Sequence, residues 1–167
     1  MATATRYQLE KSQQLLHELE GDLYRRPNSM DTIWRLPSNL FTYQSKARLA
    51  AAVDFHSKLK KAAGIRTVCS IVVGSVPHGE STDSSDLDIL PVYDDRGFSS
   101  EDHSRVIAAI NNLNGMLVEE YGFEISPKPL PKSMLERVVD AGCDSPPYFV
   151  LGRKSDFYRI YNNRGRF

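Results

Sequence analysis

The pattern of apolar and polar positions predicts helices alternating with strands. A one-sided leucine stripe predicts a helix over 6–25, and an alanine-rich segment with Ser45 as its potential N-cap predicts a second over 45–63. The apolar run Val68–Val73 is typical of a strand buried on both faces. A further apolar stripe predicts a helix over 101–121.

Shorter segments complete the prediction. A second apolar run, Asp86–Leu90, predicts a strand that Pro91 shortens on one side, because proline cannot donate to a ladder. Phe123–Ile125 begins a third strand. Beyond it we expect a short helix and a hairpin, over 133–141, 148–151 and 157–161. These elements predict an α/β fold with a small mixed sheet flanked by helices.

The chain has 167 residues, which suits one domain with a real core. We expect residues 1–167 to form that domain, with an N-terminal helix and loop extension over 1–44. A core over 45–126 and a C-terminal helix and hairpin over 127–167 complete it. Aromatic and apolar residues in 27–44 favour packing onto the core, the alternative being an exposed patch for a partner.

Composition excludes several functional classes. The formal net charge is zero, which argues against bulk electrostatic binding of nucleic acid. No apolar run reaches the length of a membrane-spanning helix, so no membrane partner is expected. Cys69 and Cys143 show no metal-ligand spacing, and a reduced, cytoplasmic setting is the natural interpretation.

Candidate chemistry lies between the first two predicted strands. Asp86 and Asp88 are two residues apart, so in a strand they share one face while Leu87 packs on the other. Two neighbouring carboxylates need compensation, and Mg²⁺ suits them because it takes one or two carboxylates together with substrate phosphates. The preceding turn, Gly74-Ser75, permits close approach of a phosphate to the backbone.

A structural interpretation of the aspartates competes with the metal-binding one. Ser84 or Ser85 could cap a helix, with Asp86 and Asp88 in its first turn favouring the helix dipole. Against this, Pro91 would fall inside that helix and no helical period follows.

Gly74-Ser75, a spacer of ten residues and Asp86-Leu87-Asp88 together resemble the signature of the DNA-polymerase-β-type nucleotidyltransferase superfamily, in particular its minimal members. The resemblance extends from about Val68 to Ile125. It implies a polymerase-β-like nucleotidyltransferase fold. It also implies Mg²⁺-dependent transfer of a nucleoside monophosphate from a nucleoside triphosphate, ATP foremost, to a hydroxyl acceptor.

The resemblance also implies the residues of the site. Asp86 and Asp88 would be catalytic metal ligands, and Gly74 and Ser75 would bind the nucleotide. Glu124 occupies the place of a third carboxylate, which would complete a two-metal site and accept the proton of the attacking hydroxyl. Many relatives carry an arginine soon after the Gly-Ser turn. This chain has His78 in that loop instead, as a candidate nucleotide contact.

The acceptor is left open by the sequence. Compact relatives resemble the nucleotidyltransferase halves of toxin–antitoxin pairs, which modify a protein partner or tRNA, while others modify antibiotics. The remaining alternative is a catalytically degenerate domain that acts as a binding or interaction module.

Overall fold

The structure, a computed structural model, describes residues 41–62, 65–135 and 149–152. Within these residues the chain forms a small mixed sheet flanked by helices, which confirms the predicted α/β class. The elements, in chain order, are α1 (Tyr43–Lys61), β1 (Thr67–Val73), α2 (Ser75–His78), β2 (Leu87–Tyr93), α3 (Ser100–Tyr121), β3 (Ile125–Pro127), β4 (Leu130–Pro131), a 3₁₀ turn (Lys132–Met134) and β5 (Phe149–Gly152).

Several predicted segments lie outside the described residues. They are the helix over 6–25, the strand over 157–161 and Cys143, together with most of the helix predicted over 133–141 and of the aromatic segment 27–44. The part of that segment that is described includes Phe41, which is buried in the core as predicted, and Tyr43, which is exposed.

The sheet has the order β3-β2-β1-β5, and β4 pairs with β2 beyond the end of β3. Strand β1 runs antiparallel to both β2 and β5, whereas β3 and β4 run parallel to β2. Strand β1 is buried on both faces, as its largely apolar sequence predicts. It therefore forms the centre of the described sheet, with β2 beside it.

The two faces of β2 have different neighbours. Leu87 and Ile89 belong to the larger core cluster, which includes Phe55 of α1 and Ile110 of α3. Leu90 belongs to a second cluster on the opposite face. Because side chains alternate along a strand, Asp86 and Asp88 lie on the face opposite to the helices, as the sequence predicts.

Strand β2 passes through Pro91 and continues to Tyr93, so the prediction that Pro91 shortens this strand is wrong. The Leu87 N–H and the Ile89 carbonyl both form hydrogen bonds on the side of β2 that faces β3. Because alternate residues of a strand direct their backbone groups to the same side, the Pro91 nitrogen faces that side too. Opposite Pro91, the neighbouring chain has left β3 and has not yet entered β4. The missing N–H therefore falls between two paired segments, where it interrupts neither.

The helices follow the predicted pattern with one correction. Helix α3 matches the prediction, beginning with a capping box of Ser99 and Asp102. Helix α1 begins two residues before Ser45, and its N-cap is Thr42, whose hydroxyl accepts from the Ser45 N–H. Ser45 is not the cap, because its hydroxyl is engaged by the loop after α2. No described helix combines the length and the apolarity that crossing a membrane requires.

Candidate functional site

The Gly-Ser turn joins β1 to the single-turn helix α2. Gly74 has φ 77° and ψ −145°, a conformation that other residues rarely adopt. A Cβ atom at this position would lie 2.9 Å from Asp88 Oδ2. Glycine is therefore required twice, once by its backbone angles and once because the Asp88 carboxylate lies directly against the turn.

The two aspartates occupy the start of β2. Asp86 immediately precedes the strand and Asp88 is its second residue, which rules out the alternative in which they form the first turn of a helix. Each carboxylate is partly exposed and has one partner from the β3 segment. Ser126 Oγ donates to Asp86 Oδ2 at 3.0 Å, and Lys128 Nζ donates to Asp88 Oδ1 at 3.0 Å.

Ser75 is the first residue of α2. Its hydroxyl is 3.0 Å from that of Ser81, which is fully buried. His78 is the last residue of α2 and is exposed. The structure thus places Ser75 beside the turn that meets Asp88, with His78 at the solvent-facing end of the same helical turn.

Glu124 lies one residue before β3 and is exposed. Its carbonyl accepts from the Leu87 N–H at 2.9 Å, whereas the residue in register with Asp88 on β3 is Ser126. Among the described residues, no group of three or more His, Cys, Asp or Glu side chains is close enough to hold a metal ion. The metal-binding role of Glu124 therefore stays a prediction.

Arg48, in α1, is a residue of this region that the sequence analysis missed. It is only 3% exposed. Its Nε and Nη2 atoms donate to the Ser85 carbonyl at 2.9 and 2.6 Å, and Nη2 also donates to the Asp83 carbonyl at 3.3 Å. Its guanidinium also lies 4.5 Å from the centre of the Phe123 ring, a cation–π contact.

The electrostatics of Arg48 connect it to the site. Burial lowers its pKa, while the carboxylates of Asp83 and Asp86 act in the opposite direction. The guanidinium stays charged in either case, since the ordinary pKa of arginine is so high. Arg48 thus fixes the backbone just before Asp86 and adds a buried positive charge behind it. An arginine among the alanines of a buried helix was the signal in the sequence.

Hydroxyl groups tie the loop after α2 to the beginning of α1. The Ser81 N–H donates to Ser45 Oγ at 2.9 Å, and Thr42 Oγ1 donates to the Ser81 carbonyl at 2.8 Å. The Thr42 N–H donates to the Gly79 carbonyl at 2.9 Å. Because Ser81 also meets Ser75, this network positions the Ser75 hydroxyl from behind.

The donor set fits one Mg²⁺ ion. Two carboxylates on one face of a strand end, both partly open to solvent, match an ion that takes one or two carboxylates and fills its remaining positions with water and phosphate. Because Gly74 has no side chain, the Asp88 carboxylate can lie directly against the backbone of the turn. A second ion would need a further oxygen ligand, for which Glu124 is the prediction.

Searches against protein-family models, curated proteins and solved structures give no match to this chain. The functional proposal therefore depends on the residues of the site.

Proposed function

We propose that this protein is a Mg²⁺-dependent nucleotidyltransferase, with ATP as the foremost donor. The single observation that carries the proposal is the contact between the Asp88 carboxylate and the Gly74-Ser75 turn. It brings the carboxylate of Asp88, one of the two neighbouring aspartates, against a glycine turn with an adjacent hydroxyl. A metal-bound triphosphate needs both features, because its phosphates must approach the carboxylates and the backbone together.

Each residue has a role in this proposal. Asp86 and Asp88 would hold the ion, which neutralises charge on the phosphates when it is bound. Gly74 allows the phosphates to approach the backbone. The Ser75 hydroxyl, positioned by Ser81, donates to a phosphate oxygen. His78 and Glu124 keep their predicted roles as a nucleotide contact and as the group that takes the proton of the attacking hydroxyl.

The proposed transfer is a nucleophilic substitution at the α-phosphorus. The oxygen of the acceptor hydroxyl bonds to that phosphorus, the bond to the bridging oxygen of the β-phosphate breaks, and pyrophosphate leaves. The hydroxyl proton passes to a base, for which Glu124 is the candidate. The chain's contribution is to position the phosphates and to supply charge where they are held.

The acceptor is proposed as a hydroxyl of a protein or of tRNA, as in toxin–antitoxin systems, in a cytoplasmic setting. A zero net charge fits recognition through a defined surface better than bulk binding of nucleic acid. An antibiotic is the acceptor in the alternative version of the same chemistry. The acceptor determines only the partner and leaves the nucleotide site unchanged.

A second candidate is a binding module without catalysis. Two observations favour it: Lys128 already pairs with Asp88, and Ser126 rather than a carboxylate lies in register with Asp88 on β3. The intact Asp86 and the glycine turn favour the enzyme, since a structural role would require neither a bare turn nor paired acids beside it.

A labelling experiment tests the proposal. The protein is incubated with each α-labelled nucleoside triphosphate, Mg²⁺ and either a lysate or purified tRNA, and the label is located on gels. We expect transfer of label in Mg²⁺, none in EDTA and none with the Asp86→Asn/Asp88→Asn double variant. Labelling that is equal in the wild type and the double variant would contradict the proposal.

A further inference from the structure

The β3 segment presents a cation to the aspartate pair. The Lys128 N–H donates to the Ile89 carbonyl at 2.8 Å, which fixes the lysine backbone beside β2. Its side chain is 65% exposed, and its ammonium lies 3.0 Å from Asp88 Oδ1. Lys128 therefore has a fixed backbone and a long, exposed side chain whose ammonium reaches the Asp88 carboxylate.

This ion pair and a bound metal ion compete for the same carboxylate. Asp88 Oδ2 faces the Gly74 turn, and Oδ1 is the oxygen that Lys128 occupies. Ser126, two residues earlier and within β3, donates to Asp86 but brings no charge. Lys128 thus offsets the charge of Asp88 when no metal is present, while Arg48 lies behind Asp86, and a divalent ion would weaken the hold of Lys128 on Asp88.

We propose that Lys128 is a phosphate-binding residue of this site, which pairs with Asp88 in the absence of ligand and with the triphosphate when the metal–nucleotide complex binds. This inference rests on the proposed function. A triphosphate bridged to an ion on Asp88 lies next to the position that the ammonium already occupies. A short movement of an exposed, flexible side chain brings the ammonium to a phosphate oxygen.

The test compares Lys128→Met with Lys128→Arg, and uses Lys58→Met as the matched control. Lys58 is also partly exposed and forms an ion pair of 2.9 Å with Glu120, on the helical side of the molecule. Binding of Mn²⁺ alone is followed by electron paramagnetic resonance. Binding of a non-hydrolysable ATP analogue in Mg²⁺ is followed by calorimetry.

The two ligands should respond to Lys128→Met in opposite directions. Mn²⁺ alone should bind about two- to fivefold more tightly, because an exposed counter-ion has been removed. The Mg²⁺–nucleotide analogue should bind about tenfold or more weakly, because a charged hydrogen bond to phosphate is lost. Lys128→Arg should restore nucleotide affinity, and Lys58→Met should change neither.

The outcomes separate this inference from the proposed function. If the wild type binds the Mg²⁺–nucleotide analogue and Lys128→Met binds it equally well, Lys128 is only a counter-ion and the inference is overturned. A wild type that binds no nucleotide in Mg²⁺ contradicts the proposed function as well. An unchanged Mn²⁺ affinity in Lys128→Met would contradict the competition for Asp88.

Discussion

Asp88 and Gly74 are in direct contact: the Asp88 Oδ2 atom lies 2.9 Å from the place where a Cβ on Gly74 would stand. Gly74 follows the end of β1 and Asp88 lies near the beginning of β2, and the ten-residue spacer 76–85 is part of the loop that separates them. Because β1 and β2 are antiparallel neighbours, the end of one meets the beginning of the other. The fold thus assembles the site from two motif halves separated in sequence.

Gly74→Ala tests this contact. The positive φ of Gly74 strains any residue with a Cβ, and the new methyl group would push the Asp88 carboxylate away. We expect a loss of about 2–3 kcal/mol in the free energy of unfolding, and weaker Mn²⁺ binding.

Gly115→Ala is the matched control, because Gly115 is in α3 and nothing lies within 4 Å of the Cβ that the substitution adds. It should stabilise the protein by up to about 1 kcal/mol. Equal stabilities of the two variants in urea unfolding would contradict the contact.

Arg48→Met tests how the loop before Asp86 is held. The variant keeps most of the apolar volume but leaves the Ser85 and Asp83 carbonyls without their donors. We expect a loss of about 2–4 kcal/mol in the free energy of unfolding.

Arg105→Met is the control, since the Arg105 guanidinium is exposed and its acidic partners are 3.7–3.8 Å away, too far for a close ion pair. It should cost no more than about 0.5 kcal/mol. Similar urea midpoints for the two variants would show that the loop does not depend on Arg48.

His56 gives a prediction for pH dependence. Its Nδ1 lies 2.9 Å from Ser70 Oγ, and its ring packs against Gly152 of β5. Burial, and then the nearby Lys60, lower its pKa. The folded state therefore binds fewer protons at this group than the unfolded chain does. Its contribution to stability is complete above the unfolded pKa of about 6.5 and is lost as the pH falls from there toward the folded pKa.

The measurement compares wild type with His56→Asn in urea unfolding at a series of pH values between 7 and 5 (a range chosen roughly around the ordinary histidine pKa). The wild type should lose stability more steeply than the variant as the pH falls. The variant's absolute stability is not the criterion, since asparagine also changes the packing. Parallel curves would contradict a lowered pKa for His56.

The fold was predictable where local chemistry decides it. The buried strand β1, the helix α3 with its apolar stripe and the turn at Gly74-Ser75 all follow from residues near one another in sequence. Pro91 was misjudged because its effect depends on which strand edge its nitrogen faces. That edge is set by the pairing of β2 with β3 and β4, which local pattern does not specify.

The site also has some features that local sequence determines and others that depend on contacts between distant segments. Strand alternation predicts that the Asp86 and Asp88 side chains lie on one face, and residue type predicts a turn at Gly74-Ser75. The partners of these groups come from distant segments: Arg48 from α1, Ser126 from β3 and Lys128 from the residue that follows β3. The pattern predicts Ser45 as a cap because it cannot reveal that the Ser45 hydroxyl accepts from the Ser81 N–H, 36 residues away.

The central claim is that the aspartate pair and the glycine turn form a metal-dependent nucleotide site. The most direct measurement is the melting temperature with a non-hydrolysable ATP analogue, in Mg²⁺ and in EDTA, for wild type, Asp88→Asn and the exposed control Glu119→Gln. At roughly 100 times the dissociation constant, the analogue should raise the melting temperature of wild type and control by about 5–10 °C in Mg²⁺ only. Asp88→Asn should show no such rise. An equal rise in EDTA, or a rise retained in Asp88→Asn, would contradict the account.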